Sequence, residues 1–248
     1  MSRYSRATAL SYSFGPGPVT RAVKWLLLIN IGVYVVTLFV RSLIPYLGLI
    51  PEAVIEHQWI WQPVTYMFLH DVHHVTHILF NMLGLWMFGV ELERMWGTRF
   101  FLKYYAITGI GAGLTTVLVS LLPFAATTAT YYSVTIGASG ALYGLLLAYA
   151  LYFPNRPILM FLLFPIPAKY FVMILGAIAF LTSTSGGTTV AATAHLGGLL
   201  VGYLYLQGGR GGITAEIKYR YLKWKMNRLR RKFDVYSGGR SDWDRHVH

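Results

Sequence analysis

Residues 137–153 read GASGALYGLLLAYALYF, a run of small and apolar residues without a charged side chain. The run predicts an apolar helix that opens with Ser139. A 15-residue helix from Ser139 to Phe153 rises only about 22 Å, whereas the hydrocarbon core of a bilayer is about 30 Å thick. If the far end of this helix reaches the cytoplasmic boundary, its start lies several ångströms inside the bilayer. We therefore expect a short membrane-spanning helix that carries a serine below the outer surface.

The composition of the whole chain is typical of a membrane protein. Hydrophobic residues make up 55% of the 248 positions, charged residues make up only 12%, and the mean hydropathy is +0.50. No residue between Lys103 and Arg156 ionises near neutral pH, and His195 is the single candidate between Lys169 and Arg210. Gaps of this length fit lipid-buried helices. The chain has no cysteine, which excludes disulfides, thiolate nucleophiles and cysteine-based metal sites.

Apolar segments of helical length predict six membrane crossings, and hence an all-α, polytopic six-helix bundle. The predicted spans are residues 25–40, 75–92, 100–122, 139–153, 168–182 and 190–207. Three polar or turn-rich segments are expected as loops on one side of the membrane: residues 45–74, 125–135 and 182–189.

The basic residues predict the orientation of these spans. Of the 21 Lys and Arg residues, 20 fall on the side that receives both termini, and Arg41 alone lies opposite. The positive-inside rule then places both termini in the cytoplasm, and we expect a bacterial cytoplasmic membrane. Residues 1–23 form a cytoplasmic segment, residues 24–209 the membrane domain, and residues 210–248 a basic cytoplasmic tail. The tail holds 11 of the Lys and Arg residues. Attraction to the membrane surface therefore explains the positive net charge, and binding to nucleic acid is not required. Residues 214–232 could form an interfacial helix, or the tail could be solvated.

Two motifs in different spans predict a nucleophile and a base. His195 lies in AHLGG, residues 194–198, inside the sixth predicted span. A lone imidazole in an apolar crossing is costly unless it pairs with another group or lines a wet cavity. Ser139 becomes a nucleophile if its oxygen lies about 2.6–3.2 Å from the imidazole nitrogen. Two small-xxx-small pairs, placed one and two turns from these residues, favour the close approach of the helices: Gly140 with Gly144, and Gly198 with Gly202.

A third motif, HILFN at residues 77–81, lies near the start of the second predicted span. His77 and Asn81 are i and i+4, so both side chains lie on one helix face. Acyl transfer creates an oxyanion, which an amide or imidazole N–H stabilises. Taken singly, the GxSG and HxxxN motifs also fit ordinary helix packing and capping. The functional interpretation depends on finding all three motifs in one chain.

The combination of motifs resembles the signatures of the rhomboid family of intramembrane proteases. The resemblance rests on GASG at residues 137–140 with Tyr143, on the HxxxN motif, and on AHLGG with Gly202, in the same order and the same spans as in the family. It covers roughly residues 59–207 of the chain. Two departures are visible: Trp61 is followed by Gln62 where the family often has Trp-Arg, and the segment between His70 and the HxxxN motif is slightly long.

The resemblance implies a six-helix serine protease that needs no cofactor and cleaves single-span membrane proteins. It implies a Ser–His dyad, with Ser139 as the nucleophile and His195 as the general base and then the acid. It also implies that Tyr143 packs against the His195 ring, and that His77, Asn81 and the Ser139 backbone N–H form the oxyanion hole. Substrates would carry small residues at the cut and a helix-weakening sequence nearby, because a hydrogen-bonded helix hides its carbonyls.

Other classes of function remain as alternatives. His70, Asp71, His73, His74 and His77 are spaced so that they could ligate a metal ion in a membrane transporter or metalloenzyme. A catalytically inactive rhomboid relative that binds membrane proteins is the second alternative. The predicted fourth to sixth spans contain no Asp or Glu. This excludes a presenilin-like aspartyl dyad and leaves a serine triad without an acidic member. The chain has no HExxH motif, which excludes an HExxH zinc protease.

Overall fold

The computed structural model of the chain describes residues 15–123, 125–160, 164–184 and 189–209. The predicted basic tail, residues 210–248, therefore lies outside the described residues, as do residues 1–14 and part of the predicted loop at 182–189. The described residues up to Tyr205 form one compact unit, and residues 206–209, the last turn of the final helix, belong to a second unit.

Helices dominate the described residues. In chain order they are α1 (Arg21–Phe39), α2 (Leu43–Leu47), α3 (Pro51–Glu56), α4 (Gln62–Thr65), α5 (Val75–Trp96), α6 (Thr98–Ser120), α7 (Ala125–Tyr132), α8 (Ser139–Tyr152), α9 (Ala168–Thr184) and α10 (Thr189–Gly209), with a short 3₁₀ turn at Tyr66–Phe68. Each of the six predicted spans coincides with one long helix, and the ends differ from the prediction by four residues or fewer. Within the described residues, α1, α5 and α6 are long and apolar enough to cross a membrane, and α8 and α9 are shorter apolar helices.

The prediction of an all-α fold is wrong in one place, the connection between α8 and α9. Strand β1 (Pro157–Met160) pairs there in antiparallel fashion with β2 (Phe164–Pro167). Ile158 and Ile166 face each other across the pair, and β-branched residues favour an extended backbone. Prolines at 157, 165 and 167 disfavour a helix in the same segment. The architecture is therefore mostly helical, with one small hairpin.

Two segments that we predicted as loops are partly helical. In residues 45–74, α3 and α4 carry Pro51 and Pro63 in their first turns, where the missing N–H of proline removes no helical hydrogen bond. In residues 125–135, α7 packs on α3 and α6. Its Thr127 and Thr130 are buried, so this stretch is part of the protein interior rather than a solvated loop.

Within the unit that ends at Tyr205, helix α8 contacts α5, α6 and α9. Most of its residues are buried, as expected for a helix that is apolar on every face. Its packing against α10 depends on missing side chains: a Cβ on Gly198 would collide with the carbonyl oxygen of Gly140, and a Cβ on Gly202 would lie 3.2 Å from the Cα of Gly144. The two glycine pairs therefore set how closely α8 and α10 approach.

Glu93, near the end of α5, fixes the start of α1. Its carboxylate accepts hydrogen bonds from the backbone N–H groups of Ala22 (2.9 Å) and Val23 (3.0 Å), and from the hydroxyls of Thr20 and Thr98. A carboxylate at a helix N-terminus satisfies free N–H groups and is stabilised by the helix dipole. For this reason α1 begins at Arg21, four residues before the predicted start.

Candidate active site

Ser139 is the first residue of α8, directly after a tight turn. Gly137 in this turn has φ +123°, a left-handed conformation that glycine adopts without strain. The backbone N–H of Gly137 donates to the carbonyl of Tyr66 (3.0 Å), and the buried Tyr66 hydroxyl donates to the carbonyl of Gly109 (2.7 Å). These two hydrogen bonds connect the turn to α6. The first N–H groups of an α-helix have no hydrogen-bond partner within the helix, so the Ser139 N–H has none within α8.

The Ser139 Oγ lies 2.7 Å from Nε2 of His195 on α10. A neutral imidazole that carries its proton on Nδ1 can accept the serine proton at this Nε2. The ring of Tyr143 stacks on the imidazole, with the ring centroids 4.1 Å apart and the planes inclined by 5°. Tyr143 lies one turn after Ser139, so α8 supplies both the hydroxyl that contacts His195 and the aromatic ring that stacks on its imidazole.

His77 reaches the same place from the first turn of α5. Its Nδ1 accepts a hydrogen bond from the backbone N–H of Asp71 (3.2 Å), so the proton of the neutral ring is on Nε2. A Cβ on Gly137 would lie 2.8 Å from this Nε2 and 3.7 Å from the Ser139 Oγ. A side chain at position 137 would therefore collide with the His77 ring in its present position.

Asn81 lies one turn further along α5 and is buried. Its Nδ2 donates to the backbone carbonyl of His77 (2.8 Å), which leaves its second N–H for another acceptor. Its Oδ1 is buried without a hydrogen-bond partner among the described residues. The structure therefore places Asn81 at the wall of the site, without a direct hydrogen bond to Ser139 or His195.

The histidine-rich segment before α5 forms a turn held by hydrogen bonds of Asp71. The Asp71 carboxylate accepts from the His73 backbone N–H (2.8 Å) and from Nδ1 of His74 (2.6 Å), and the His74 hydrogen bond lowers the pKa of the Asp71 carboxyl. His70 is fully buried, with its ring centroid 5.1 Å from that of His77. Burial, followed by the neighbouring His77, lowers the pKa of His70 to about 4. Among the described residues, no three His, Asp or Glu side chains are arranged to hold a metal ion.

A cavity of about 970 Å³ opens from these residues toward the hairpin. Ser139, His195 and His77 lie on its wall together with Asn81 and Tyr143. Most of the remaining wall is apolar and comes from α5, α8, α9 and β1, for example Phe80, Met87, Leu146, Ile158, Ile174 and Ile178. Its dimensions and surface suit an apolar polypeptide segment next to the serine.

The predicted catalytic and oxyanion residues thus lie together, although they come from three separate helices and are as far as 118 positions apart in the sequence. Two contributions were missed by the sequence analysis. Asp71 contacts His77 through its backbone N–H, and an Asp just before a helix is the signal that could have indicated a structured turn. Tyr66 holds the turn before Ser139, and nothing in the local sequence pattern points to that contact.

Comparison with known sequences gives matches to rhomboid proteins. The sequence model of the Rhomboid domain matches residues 57–209. Rhomboid protein 1, mitochondrial, of Saccharomyces cerevisiae is 34% identical over 134 residues, which are 52% of this chain and 36% of the yeast protein. Rhomboid protease AarA of Providencia stuartii is 30% identical over 202 residues, 72% of this chain and 69% of that protein. Putative rhomboid protease YdcA of Bacillus subtilis is 32% identical over 153 residues, 61% of this chain and 68% of that protein. This chain thus matches only about a third of the length of the yeast relative.

Proposed function

This chain belongs to the rhomboid family, and we propose that it is a serine endopeptidase that cleaves the membrane-spanning segments of other proteins with a Ser139–His195 dyad. The observation that carries the proposal is the 2.7 Å separation of Ser139 Oγ and His195 Nε2. This is the hydrogen-bond distance that a nucleophile and its base require. A catalytically inactive relative would have no need for this pair.

The first half of the proposed reaction acylates Ser139. Its Oγ attacks the carbonyl carbon of the scissile peptide bond while His195 Nε2 takes the hydroxyl proton. The tetrahedral intermediate then collapses, the C–N bond breaks, and His195 returns the proton to the leaving amine nitrogen. In the second half, His195 takes a proton from a water molecule as its oxygen attacks the acyl carbon. The bond between this carbon and Ser139 Oγ then breaks, His195 returns the proton to Oγ, and the new carboxyl terminus leaves.

Three donors are available for the negative oxygen of the tetrahedral intermediate. The Nε2–H of His77 points into the site because its Nδ1 is occupied by the Asp71 N–H. The Ser139 backbone N–H is free at the start of α8, where the helix dipole also favours negative charge. Asn81 offers its second amide N–H from the cavity wall. Donors fixed in place before the reaction stabilise the oxyanion without reorganisation.

A dyad suffices in this arrangement because Tyr143 takes over part of the orienting role of a third catalytic residue. In a triad, a carboxylate holds the imidazole in the correct tautomer and orientation. Here the stacked Tyr143 ring limits rotation of His195, and the spans around the dyad contain no Asp or Glu. Gln62, which stands where the family often has Arg, has a structural role. Its buried side-chain amide accepts a hydrogen bond from the Ile50 N–H (2.9 Å) and donates one to the Pro45 carbonyl (3.2 Å).

We further propose six membrane crossings by α1, α5, α6, α8, α9 and α10, with both termini in the cytoplasm. The distribution of basic residues supports this orientation. Residues 1–23 and 210–248 then flank the membrane domain, residues 24–209, on the cytoplasmic side. The apolar cavity supports single-span proteins as substrates, since one helix-weakened segment could enter it beside Ser139.

A fluorophosphonate serine probe tests the proposed nucleophile directly. We expect covalent labelling of the wild-type protein in detergent, and none of the Ser139→Ala variant. The same pair is then compared for cleavage of a single-span substrate in liposomes. Equal labelling of the two proteins, or cleavage by correctly folded Ser139→Ala, would contradict the proposal. Absence of labelling and cleavage in both would favour an inactive, client-binding relative.

A further inference from the structure

The turn that precedes α5 holds His77 through a chain of hydrogen bonds centred on Asp71. The side chain of Asp71 is bonded within the turn, and its backbone N–H donates to Nδ1 of His77. Neither contact follows from the sequence motifs, because the HxxxN motif begins at His77. Asp71 itself also lies on the wall of the cavity.

The Asp71 carboxylate fixes the shape of this turn. An ionised carboxylate is an acceptor only, so His74 must carry a proton on the Nδ1 that lies 2.6 Å from Oδ2. The other oxygen accepts from the His73 backbone N–H at 2.8 Å. A side chain that bonds the backbone two residues later forms an Asx turn, which orders a segment without helix or sheet. With both oxygens engaged, the turn is held together, and within it the Asp71 backbone N–H is oriented toward His77.

That orientation determines which nitrogen of His77 is a donor. The Asp71 N–H points at Nδ1 of His77, and a nitrogen that accepts a hydrogen bond cannot carry the proton of a neutral ring. The proton is therefore on Nε2, the nitrogen that faces Gly137 and the serine. If the turn loosened, the ring could take either tautomer or rotate away, and the oxyanion would lose a donor.

We propose that Asp71 is a positioning residue that locks His77 as the Nε2–H tautomer aimed at the oxyanion. The proposal rests on the oxyanion role assigned to His77 under the proposed function. Asp71 acts through the turn and does not touch the reacting atoms. Its carboxylate keeps the turn closed, and its backbone N–H sets the tautomer.

Steady-state cleavage by single and double variants tests this role. Because one oxyanion donor is typically worth about 100- to 1,000-fold in rate, we expect Asp71→Ala to lower kcat by about 10-fold or more, with KM within about 2-fold. Asp71→Asn keeps an oxygen for the His73 N–H and should recover most of this loss. In a His77→Ala background, Asp71→Ala should cause no further loss, because the residue it positions is absent.

Glu52→Ala is the matched control, because Glu52 is also a carboxylate paired with a histidine, His57 at 3.3 Å. It should leave kcat unchanged. Thermal unfolding of each variant separates a positioning effect from loss of the fold. Additive losses in the double variant, a change confined to KM, or no rescue by Asp71→Asn would overturn the proposal.

Nitrogen-15 NMR of the His77 ring gives a readout that does not depend on proteolysis. The wild-type ring should show the chemical shifts of an Nε2–H tautomer, and Asp71→Ala should shift them toward a mixture. An Nδ1–H ring in the wild type would overturn the lock even if the enzyme is active. Conversely, a wild type that locks the tautomer but shows no Ser139-dependent cleavage would contradict the proposed function alone.

Discussion

The two halves of the candidate site are built in different ways. The dyad half, Ser139 with Tyr143 and His195, is held by helices α8 and α10, which approach so closely that a Cβ on Gly198 would collide with the backbone of Gly140. The turn half consists of residues 70–77 with Asn81, and hydrogen bonds of polar and titratable side chains hold it together. One half is positioned by backbone packing and the other by hydrogen bonds.

This difference indicates which properties each half brings to catalysis. Backbone packing does not depend on pH, so the helices that carry Ser139 and His195 should keep their separation under varied conditions. Hydrogen bonds to carboxylate and imidazole groups depend on pH and on single side chains. We therefore expect removal of Ser139 or His195 to act in an all-or-none manner, and substitutions in the turn half to act by degrees.

The largest effect is expected from removing a member of the dyad. Ser139→Ala removes the atom that forms the acyl-enzyme, and His195→Ala leaves the hydroxyl without a base. In comparable serine proteases such losses are on the order of 10⁴- to 10⁶-fold. Initial cleavage rates of a single-span substrate in liposomes measure the effect. Thermal unfolding should stay close to wild type for Ser139→Ala, and collapse of both variants would mean that these residues only pack.

A second prediction breaks the dyad half without touching its reacting atoms. Gly198→Val places a side chain where the Gly140 carbonyl lies, so α8 and α10 must separate. Overpacking typically costs about 1–3 kcal/mol, and a collision with backbone belongs at the upper end of that range. We expect the unfolding temperature and the cleavage rate to fall together. Gly32→Val in α1 is the matched control, because a Cβ there has no neighbour within 4 Å, and it should change neither.

The parts of the site that the sequence predicted are those whose signal lies in one short segment. GASG, HxxxN and AHLGG each combine a polar residue with small or apolar residues at fixed spacing, and each occupies a helix of the expected length. The apolar runs gave the long helices within four residues because lipid-buried helices require continuous apolar sequence. Whether Ser139 and His195 meet depends on packing between helices that are 56 positions apart.

The features that the sequence analysis missed depend on contacts between distant segments. The β1–β2 pair was overlooked because four-residue strands rich in proline give no periodic signal. The early start of α1 depends on Glu93, more than 70 positions away. The predicted loop at 125–135 became a helix because α3 and α6 cover it, which a polar Thr/Tyr composition does not reveal. Spacing alone also could not show that Asp71 uses its oxygens within the turn.

The turn half should respond by degrees, and Asn81→Ala is its strongest single test. The substitution removes one candidate oxyanion donor, which is typically worth about 2.7–4 kcal/mol or roughly 100- to 1,000-fold in kcat. His77 and the Ser139 N–H should limit the loss to the lower part of that range. The measurement is kcat and KM on the single-span substrate. A loss as large as that of Ser139→Ala would show that the two halves do not differ in the expected way.

A smaller effect is expected in the pH dependence of stability, through His70. Its pKa falls from 6.5 to about 4 in the folded protein, so the unfolded chain binds the proton first as the pH decreases. The free energy of unfolding should therefore be fully retained above about pH 6.5 and should decline toward pH 4, by at most about 3 kcal/mol from this residue. His70→Gln should flatten the decline in thermal unfolding measured between pH 7 and pH 4.5. An unchanged slope of unfolding temperature against pH would show that burial of His70 does not control its protonation. His57 is an exposed histidine, so His57→Gln is the control for loss of an imidazole.

The smallest effect should come from Tyr143→Phe, which tests how the dyad half holds its imidazole. The tyrosine ring stacks on His195 with the planes inclined by 5°, and phenylalanine keeps that surface while it loses only the hydroxyl. If stacking is the contribution of this residue, kcat should fall by less than about 10-fold, that is by less than about 1.4 kcal/mol in activation free energy. Tyr143→Ala is the matched comparison, because it removes the ring and frees His195 to rotate, and it should be much slower. Equal losses in the two variants would assign the contribution to the hydroxyl. The dyad half would then depend on a polar contact as the turn half does, and the contrast between them would fail at this residue.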